Sequence, residues 1–421
     1  MTSTRNRFLQ AHVSVTRRYF LGLGAVGLAA MRTHDLDSAE PDANDPLQQA
    51  MDAIEPWLTS QDEFQDVSRG NPKPHSIDEQ KRTEVGLTRD TWKLEVISDP
   101  EHPAELRSPL SVDKGNAFDF QQLMHLAESK AVRFAKVMTC LNIGCPLGNG
   151  IWEGVPLRDV LWMTKPQKDL RRVFYYGYHN DKPEQMFRSS LPVGRILEDP
   201  FDLPPVILCY KLNGQFLTPQ RGGPVRVVVP EAYGFKSIKW LTHVYLSNIA
   251  SANDTYAEKN NDVDSPLKTF CATLSVPRER KPGQPVPVTG YAQVGISGLK
   301  KVQVWIQKSG EELASDDEYY QSAPWIDAQI LPAPKHWGGD LVDNKIPVPT
   351  IGFDPETGRP NSWPMRLSKA HWAILLPGLE AGNYVLRCRT IDEKGNAQPL
   401  PRPFKKSGRA FIERISIQVV A

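Results

Sequence analysis

Apolar and polar residues alternate along several stretches of the chain, and one of these stretches ends at a cysteine. Residues 92–97 and 131–139 alternate with the two-residue period of a β-strand, and the second stretch leads directly into Cys140. A glycine-rich stretch follows at 142–150, and residues 157–161 then place apolar side chains at helical spacing. We therefore predict the order strand, glycine loop, helix, with Cys140 at a strand end, where reactive groups are common.

The character of the pattern changes in the second half of the chain. Residues 206–210 and 225–229 are predicted strands, and Asn213-Gly214 between them is a typical tight-turn pair. After about residue 265 helical periodicity is scarce and short alternating stretches dominate. We predict an α+β domain followed by an all-β sandwich of immunoglobulin-like size. The alternating stretches of this second part are 302–306, 385–390 and 412–419.

The first forty residues have the pattern of an export signal. Arg17 and Arg18 are followed by Phe-Leu and by an uncharged apolar run at 22–30. Paired arginines before a short apolar run are typical of the twin-arginine export route, and this run is too short to span a bilayer permanently. Its G-x-G-x-x-G spelling follows no predicted strand, so we do not interpret it as a dinucleotide site. A disordered or apolar helical N-terminus is the alternative.

These patterns divide the chain into four parts. We expect an export signal, an arm that its prolines keep extended rather than helical, a catalytic α+β domain and a β domain. The β domain carries a long insertion rich in proline, glycine and tryptophan. The predicted boundaries are 1–40 for the signal, 41–84 for the arm, 85–265 for the catalytic domain and 266–421 for the β domain, with the insertion at about 315–366.

Composition narrows the function classes. Among 421 residues, Lys+Arg number 50 and Asp+Glu 49, so the formal charge of +1 gives no indication of a nucleic-acid partner. Five cysteines are too few for a disulfide scaffold. The chain has no H-E-x-x-H, C-x-x-C-H or P-loop motif, which argues against a simple zinc hydrolase, a c-type haem protein or an NTPase. A cofactor enzyme with a thiolate ligand remains compatible with these counts.

Cys140 and two basic segments are the candidates for chemistry. Cys140 has three interpretations: an inert buried thiol, a disulfide partner of Cys145, or a ligand or nucleophile. A thiolate at a strand end suits a soft redox metal better than Mg or Ca. The basic, partly glycine-rich segments 221–226 and 236–239 resemble an anion site built from cations and backbone N–H groups. A solvated loop and an amphipathic strand are the alternatives for these segments.

Several motifs in sequence order resemble one family, the sulfite oxidase-like molybdopterin oxidoreductases. The resemblance runs from about Arg69 to the C-terminus. It is specific because each motif is several residues long and the order is kept. The motifs are M-T-C-L-N at 138–142, G-N-G-I-W-E-G-V-P-L-R-D-V-L at 148–161, S-S-L-P-V at 189–193, N-G at 213–214, G-P-V-R-V-V-V-P at 223–230 and Y-G-F-K-S-I-K-W-L at 233–241.

The resemblance implies a molybdenum–molybdopterin cofactor whose metal is bound by the Cys140 thiolate. It also implies that Trp152 lines the metal pocket and that the β domain forms a homodimer. No haem motif occurs in the chain, so the expected electron partner is a separate cytochrome or a membrane redox protein. The positions that match cofactor-holding residues of the family are Arg69, Asn71, Arg226, Ser237, Ile238 and Lys239.

The implied reaction is two-electron oxygen-atom transfer, with sulfite or a related sulfur oxyanion as the first expected substrate. The chain departs from the family where Cys145 replaces a basic residue and where Phe187 aligns with an active-site tyrosine. We predict that Arg69, His179 and Arg188 rebuild a basic pocket. These departures give some support to a second hypothesis, the reduction of an S- or N-oxide such as a sulfoxide. A third hypothesis is a catalytically silent exported scaffold.

Overall fold

The computed structural model describes residues 45–180, 185–264, 266–311, 317, 319–398, 408 and 411–420. The predicted export signal therefore lies outside the described residues. None of the helices within these ranges is both long enough and apolar enough to cross a membrane.

The arm before the first sheet contains two short helices, α1 (Pro46–Asp52) and α2 (Glu79–Glu84). Asp45 caps α1 by accepting the backbone N–H of Leu47, and Asp78 caps α2 in the same way. Proline occupies the first position of α1, where its missing N–H costs nothing. A 3-10 helix at Pro74–Ser76 lies between α1 and α2, so the prediction of an extended rather than helical arm is wrong at these three segments.

The part predicted to be the catalytic domain is built from two five-stranded sheets. In the first sheet the strand order is β2-β1-β10-β5-β6, with β1 and β10 parallel. The second sheet has the order β3-β4-β7-β8, with β9 paired to β7. One large apolar core includes residues from both sheets, among them Leu94, Val137, Leu208 and Val244.

The elements of this part follow one another in chain order. The strands are β1 (Lys93–Ser98), β2 (Phe118–Asp119), β3 (Val132–Thr139), β4 (Pro146–Pro156), β5 (Arg172–Gly177), β6 (Arg188–Pro192), β7 (Ile207–Leu212), β8 (Gln215–Phe216), β9 (Arg226–Val228) and β10 (Leu241–Ser247). The helices are α3 (Phe120–Lys130), α4 (Leu157–Met163) and α5 (Val193–Leu197).

The predicted glycine loop at 142–150 is largely wrong, because the chain enters strand β4 at Pro146. Two of its glycines, Gly148 and Gly150, allow close packing. A Cβ atom on Gly148 would lie 2.5 Å from the Phe64 ring, and one on Gly150 would lie 2.3 Å from the Leu212 Cδ1. Glycine inside a strand often marks such a close approach. The loop is therefore shortened to residues 140–145.

The C-terminal part is all β, as predicted. Its eight strands have the order β11-β13-β16-β15-β14-β17-β18-β12 around a separate apolar core that includes Val288, Val304 and Trp372. The immunoglobulin-like comparison stays a prediction. The strands are β11 (Phe270–Ser275), β12 (Glu279–Arg280), β13 (Val286–Gln293), β14 (Lys301–Lys308), β15 (Ile326–Ile330), β16 (Lys369–Leu376), β17 (Gly382–Ile391) and β18 (Ile415–Val419).

The tryptophan-bearing insertion between β14 and β16 packs onto the N-terminal arm. Trp57 of the arm is 1% exposed, and its ring centroid lies 5.2 Å from that of Trp337 and 5.8 Å from that of Trp363. The Trp57 indole N–H donates to the Lys369 carbonyl at 2.6 Å. The third tryptophan of the insertion, Trp325, contacts Trp305 of the β domain instead. The insertion thus fastens the arm to the β domain.

Candidate active site

A cleft of about 290 Å³ opens beside the C-terminal end of β3. Its walls come from the arm, from the turn after β3, from β4 and from the loop between β9 and β10. The cleft thus collects segments that are far apart in the sequence. Eight of the ten predicted site residues line it, namely Arg69, Cys140, Trp152, His179, Arg226, Ser237, Ile238 and Lys239.

Cys140 presents a half-buried thiol to the cleft from a tight turn. Its carbonyl accepts the Gly144 N–H at 2.9 Å, and its N–H lies 3.4 Å from the Cys145 carbonyl oxygen. Neither thiol is in a disulfide, and the Cys145 Sγ lies 3.7 Å from the Gln65 Oε1. The structure therefore does not contain the disulfide considered as an alternative. The Cys140 thiol is available as a ligand.

Two arginines at the inner end of the cleft have unsatisfied donors. Arg226 is 4% exposed and donates to the carbonyl oxygens of Arg221 at 2.9 Å and Ser237 at 2.7 Å. Its Nε, together with Nε and Nη2 of Arg221, is buried without a hydrogen-bond partner among the described residues. Each buried unpaired donor costs about 1–3 kcal/mol. An anion bound in the cleft would remove that cost.

Lys239 adds a third cation to this group. Its ammonium donates to the Gln220 carbonyl at 2.7 Å and to the Ser68 hydroxyl at 2.8 Å. Burial, with the neighbouring charge of Arg226, lowers the pKa of Lys239 to about 7. A bound anion would raise it again. The third partner of the Lys239 ammonium is the Asp66 carboxylate at 3.3 Å, so the spare donors belong to the two arginines alone. Two buried arginines with spare donors and a neighbouring lysine, next to an accessible thiol, fit a phosphate-bearing cofactor that carries a thiophilic metal.

Trp152 forms one wall of the cleft and is fully buried. Its indole N–H donates to the Lys136 carbonyl at 3.0 Å, and the Phe64 ring meets its face edge-on at 5.8 Å. The Arg226 guanidinium lies 5.1 Å from the centre of the Trp152 ring, within cation–π range. Trp152 therefore helps to orient Arg226 as well as shaping the cleft.

The opposite side of the cleft carries Arg69 and His179. The Arg69 guanidinium lies 4.6 Å above the ring of Phe187, so the residue that replaces the expected phenol acts as a platform for a cation. His179 Nε2 is buried without a hydrogen-bond partner among the described residues. Burial and the Arg69 charge lower the pKa of His179, which favours a neutral imidazole at neutral pH. The pair can present one fixed positive charge and one neutral hydrogen-bonding group.

Tyr256 brings a phenol to the cleft, where Phe187 takes the position that aligns with the active-site tyrosine. It lies in the loop after β10, and its hydroxyl donates to the Asn142 side-chain carbonyl at 3.0 Å. Its ring stacks on Phe235 with centroids 4.2 Å apart and meets Phe187 edge-on. Burial, and then the nearby Cys140, raise the pKa of Tyr256. No motif marks this tyrosine, since it lies in a polar stretch without a recognisable pattern.

Two predicted site residues lie outside the cleft. Arg188 follows Phe187 into strand β6, and neighbouring strand residues face opposite sides. Its guanidinium lies 5.1 Å from the Phe174 ring and donates to the Asn253 carbonyl. The prediction that Arg188 contributes to the pocket is therefore corrected. Asn71 is exposed and does not line the cleft either.

A buried lysine supports the loop that leads into the cleft. Lys136 on β3 is fully buried, and its ammonium donates to the carbonyl oxygens of Pro230 at 2.8 Å and Ala232 at 2.7 Å. Burial lowers the pKa of Lys136 from its ordinary value to about 7. Above that pH the folded chain releases a proton that the unfolded chain keeps until about pH 10.4.

Proton linkage predicts the sign of the resulting pH effect. Between pH 7 and about 10.4 the unfolded state binds one more proton at Lys136, so this residue makes stability rise with pH by about 1.4 kcal/mol per unit. Urea unfolding of the wild-type protein and of Lys136→Met at pH 7.5 and 9 measures how the free energy of unfolding depends on pH. Between these pH values the free energy of unfolding of the wild type should rise by about 2 kcal/mol more than that of the variant. Parallel pH dependences would contradict the assignment.

Comparison with known proteins agrees with this geometry. A family model for the oxidoreductase molybdopterin binding domain matches residues 82–255. Among curated relatives, the mitochondrial sulfite oxidase of Drosophila melanogaster is 26% identical over 226 residues, covering 48% of this chain and 37% of that protein. Sulfite oxidase of Gallus gallus is 28% identical over 269 residues, covering 59% of this chain and 50% of that protein. The chain spans half or less of the length of these two relatives.

The chain is also similar to a nitrate reductase and to a solved structure of a sulfane dehydrogenase. An NADPH nitrate reductase of Beauveria bassiana is 26% identical over 193 residues, covering 44% of this chain and 20% of that protein. The crystal structure of the sulfane dehydrogenase SoxCD from Paracoccus pantotrophus has a TM-score of 0.55 at 15% identity, covering 94% of this chain and 95% of that chain. This likeness shows a shared fold over nearly the whole chain. Residues 82–255 therefore form a molybdopterin-binding oxidoreductase domain, which resembles that of the sulfite oxidases and implies molybdenum–molybdopterin as its cofactor.

Proposed function

We propose that this chain oxidises a sulfur-centred anion, sulfite or a related sulfur oxyanion, and passes the electrons to a separate cytochrome. The observation that carries the proposal is the convergence of Arg69, Tyr256 and Cys140 on one cleft. The names of the relatives and of the structural neighbour also support it, since they include sulfite oxidases and a sulfane dehydrogenase.

The residues of the cleft divide into two groups. The buried cations Arg221, Arg226 and Lys239 would hold the phosphate of the cofactor, and the Cys140 thiolate would bind its molybdenum. When bound, molybdenum–molybdopterin supplies two-electron oxygen-atom transfer, which converts sulfite and water to sulfate, two protons and two electrons. The protein would then bind the anion, orient it and keep the surrounding charges fixed.

On the substrate side, Arg69 provides the charge that draws in an anion. Its guanidinium is exposed and already oriented by the Phe187 ring. Tyr256 offers a phenol O–H beside Cys140, and His179 offers a neutral imidazole. A fixed cation and two hydrogen-bonding groups suit a small oxyanion, because charged hydrogen bonds give both affinity and orientation.

The alternative activity, reduction of an S-oxide, has one observation in its favour. Val67 and Ile143 line the cleft and are 41% and 49% exposed, so the cleft offers apolar surface that an organic sulfoxide could cover. Sulfite-dependent reduction of cytochrome c, compared with sulfoxide reduction by a reduced dye, decides the direction. Finding no molybdenum in protein from a cofactor-competent host would favour the silent scaffold instead.

Arg69 provides the test of the substrate class. We expect Arg69→Met to raise KM for sulfite by about 10- to 100-fold, which corresponds to the 1.5–3 kcal/mol of a charged hydrogen bond. The KM for a neutral sulfoxide should change much less. Arg188→Met is the matched control, since this arginine lies outside the cleft. Equal changes in KM for sulfite in the two variants would reject the anion-binding role of Arg69.

We also propose that the chain is exported by the twin-arginine route and works as a homodimer. The paired arginines before the apolar run at 22–30 support export. A chain that took up its cofactor before export would need a route that carries folded proteins. Fractionation of cells, followed by light scattering of the purified protein, tests the two statements separately.

A further inference from the structure

Lys236 and Asp254 form an ion pair that is almost closed to solvent, directly behind the cleft. The Lys236 ammonium lies 3.8 Å from the Asp254 Oδ2, and the side chains are 3% and 1% exposed. Neither residue lines the cleft. Burying two charges is costly unless further hydrogen bonds complete the pair. Those additional bonds show which parts of the fold the pair holds together.

Asp254 holds the segment that carries Tyr256. Its Oδ1 accepts the backbone N–H groups of Tyr256 and Ala257, both at 3.1 Å. Its Oδ2 accepts the Ser190 hydroxyl at 2.8 Å. The same hydroxyl accepts the Arg172 guanidinium at 3.1 Å. The carboxylate therefore connects the backbone at Tyr256 to strand β6 of the first sheet.

Lys236 holds the facing segment. Its ammonium donates to the Ser190 carbonyl at 2.7 Å, so both members of the pair bind the same residue of β6. Lys236 follows Phe235, whose ring stacks on Tyr256 within 9° of parallel. It also directly precedes Ser237, the first of the three consecutive residues in this loop that match cofactor-holding positions. The loop on the cofactor side and the loop of Tyr256 thus meet at one buried ion pair.

We infer that Lys236 and Asp254 are positioning residues that fix the Tyr256 phenol against Asn142 beside Cys140. The inference rests on the proposed function, because it assigns Tyr256 to the reacting side of the cleft. Neither residue of the pair touches the reacting atoms, so their effect acts through Tyr256. A displacement of about 1 Å in a catalytic group can cost about 100-fold in rate.

Asp254→Asn tests the inference kinetically. This substitution keeps the size of the side chain and an acceptor oxygen but removes the carboxylate that forms the ion pair with the buried Lys236 ammonium. We expect kcat for sulfite to fall by about 10- to 100-fold with little change in KM. Lys236→Arg should retain most of the activity because it keeps the charge. Because the pair acts as one unit, Lys236→Met combined with Asp254→Asn should lose less than the product of the two single losses.

Glu258→Gln is the matched control for these variants. Glu258 lies two residues after Tyr256, its side chain is 64% exposed, and it contacts Arg188 at 3.9 Å rather than Lys236. Removing its charge should leave kcat unchanged. Multiplicative losses in the double variant, or a loss in Glu258→Gln equal to that in Asp254→Asn, would overturn the inference.

Fluorine NMR gives a readout that does not depend on turnover. With 3-fluorotyrosine placed at position 256, the wild-type protein should show one resonance displaced from its urea-unfolded position by the stacked Phe235 ring. Asp254→Asn should move the resonance towards the unfolded position, and Glu258→Gln should not. If Asp254→Asn does not fold, Asp254→Glu carries the same comparison, since it keeps the charge but alters the reach.

The two readouts separate the inference from the proposed function. An unchanged fluorine resonance in a folded Asp254 variant would reject positioning, whatever the substrate. A wild-type protein that does not oxidise sulfite, but whose resonance moves in Asp254→Asn, would reject the proposed substrate and leave the positioning role in place.

Discussion

Replacing Cys140 by serine should reduce molybdenum-dependent turnover by well over about 100-fold. Losing only an outer partner of a metal ligand typically costs about 10- to 100-fold, and the loss of a direct ligand exceeds that. A serine hydroxyl is a much poorer ligand than a thiolate for a soft metal. Molybdenum content and sulfite-dependent cytochrome c reduction measure the two parts of this effect.

Cys145→Ser is the control for this experiment. The second thiol lies five residues further along the chain and does not line the cleft, although its Sγ lies 3.7 Å from Oε1 of the lining residue Gln65. Its replacement should leave both the molybdenum content and the turnover close to wild-type values. Full turnover in Cys140→Ser would show that the ligand assignment is wrong, and equal losses in both variants would show that the turn between the cysteines is what matters.

Replacing Trp57 by alanine should destabilise the protein by about 3–5 kcal/mol, the usual cost of removing a large buried aromatic side chain. Trp57 packs against Trp337 and Trp363. The substitution also removes the buried hydrogen bond from the Trp57 indole N–H to the Lys369 carbonyl. Urea unfolding followed by circular dichroism measures the change. Trp57→Phe should recover part of the loss, because it restores ring packing without the N–H.

An exposed tryptophan provides the comparison for Trp57. Trp162 at the end of α4 is 52% exposed, and Trp162→Ala should change stability by no more than about 0.5 kcal/mol. A loss below about 1 kcal/mol in Trp57→Ala would mean that the insertion and the arm separate easily, in contrast to the packing of the three tryptophans.

The predictable part of the site consists of residues inside contiguous motifs. Cys140, Arg226 and the residues around Lys239 could be found because each lies in a stretch whose order and composition are specific. Arg221 was within a predicted anion segment, although it was not singled out. The burial of its guanidinium depends on contacts with the arm, such as its hydrogen bond to the Phe64 carbonyl at 2.8 Å. Sequence spacing carries no information on that contact.

The unpredicted part consists of residues that tertiary packing brings in. Tyr256 lies 116 positions after Cys140, and only the fold of the loop after β10 places its phenol beside Asn142. Arg188 was misplaced because one-residue alternation in β6 decides which side it faces, and Phe187 takes the cleft side. The prediction of a glycine loop at 142–150 was wrong for a related reason. Glycine also occurs inside strands where another part of the chain packs closely against the backbone.

The N-terminal arm contacts both the cleft and the β domain, and so connects the folding of these two parts. Phe64 and Arg69 form one wall of the cleft, although both precede residue 82, where the family match begins. A few residues earlier, Trp57 is clamped by the insertion of the β domain. Unfolding of the β domain would therefore release the segment that closes the cleft. We therefore expect retention of the cofactor to depend on the folded state of the C-terminal β domain. A fragment of residues 82–255 alone would lack the arm residues that form one wall of the cleft.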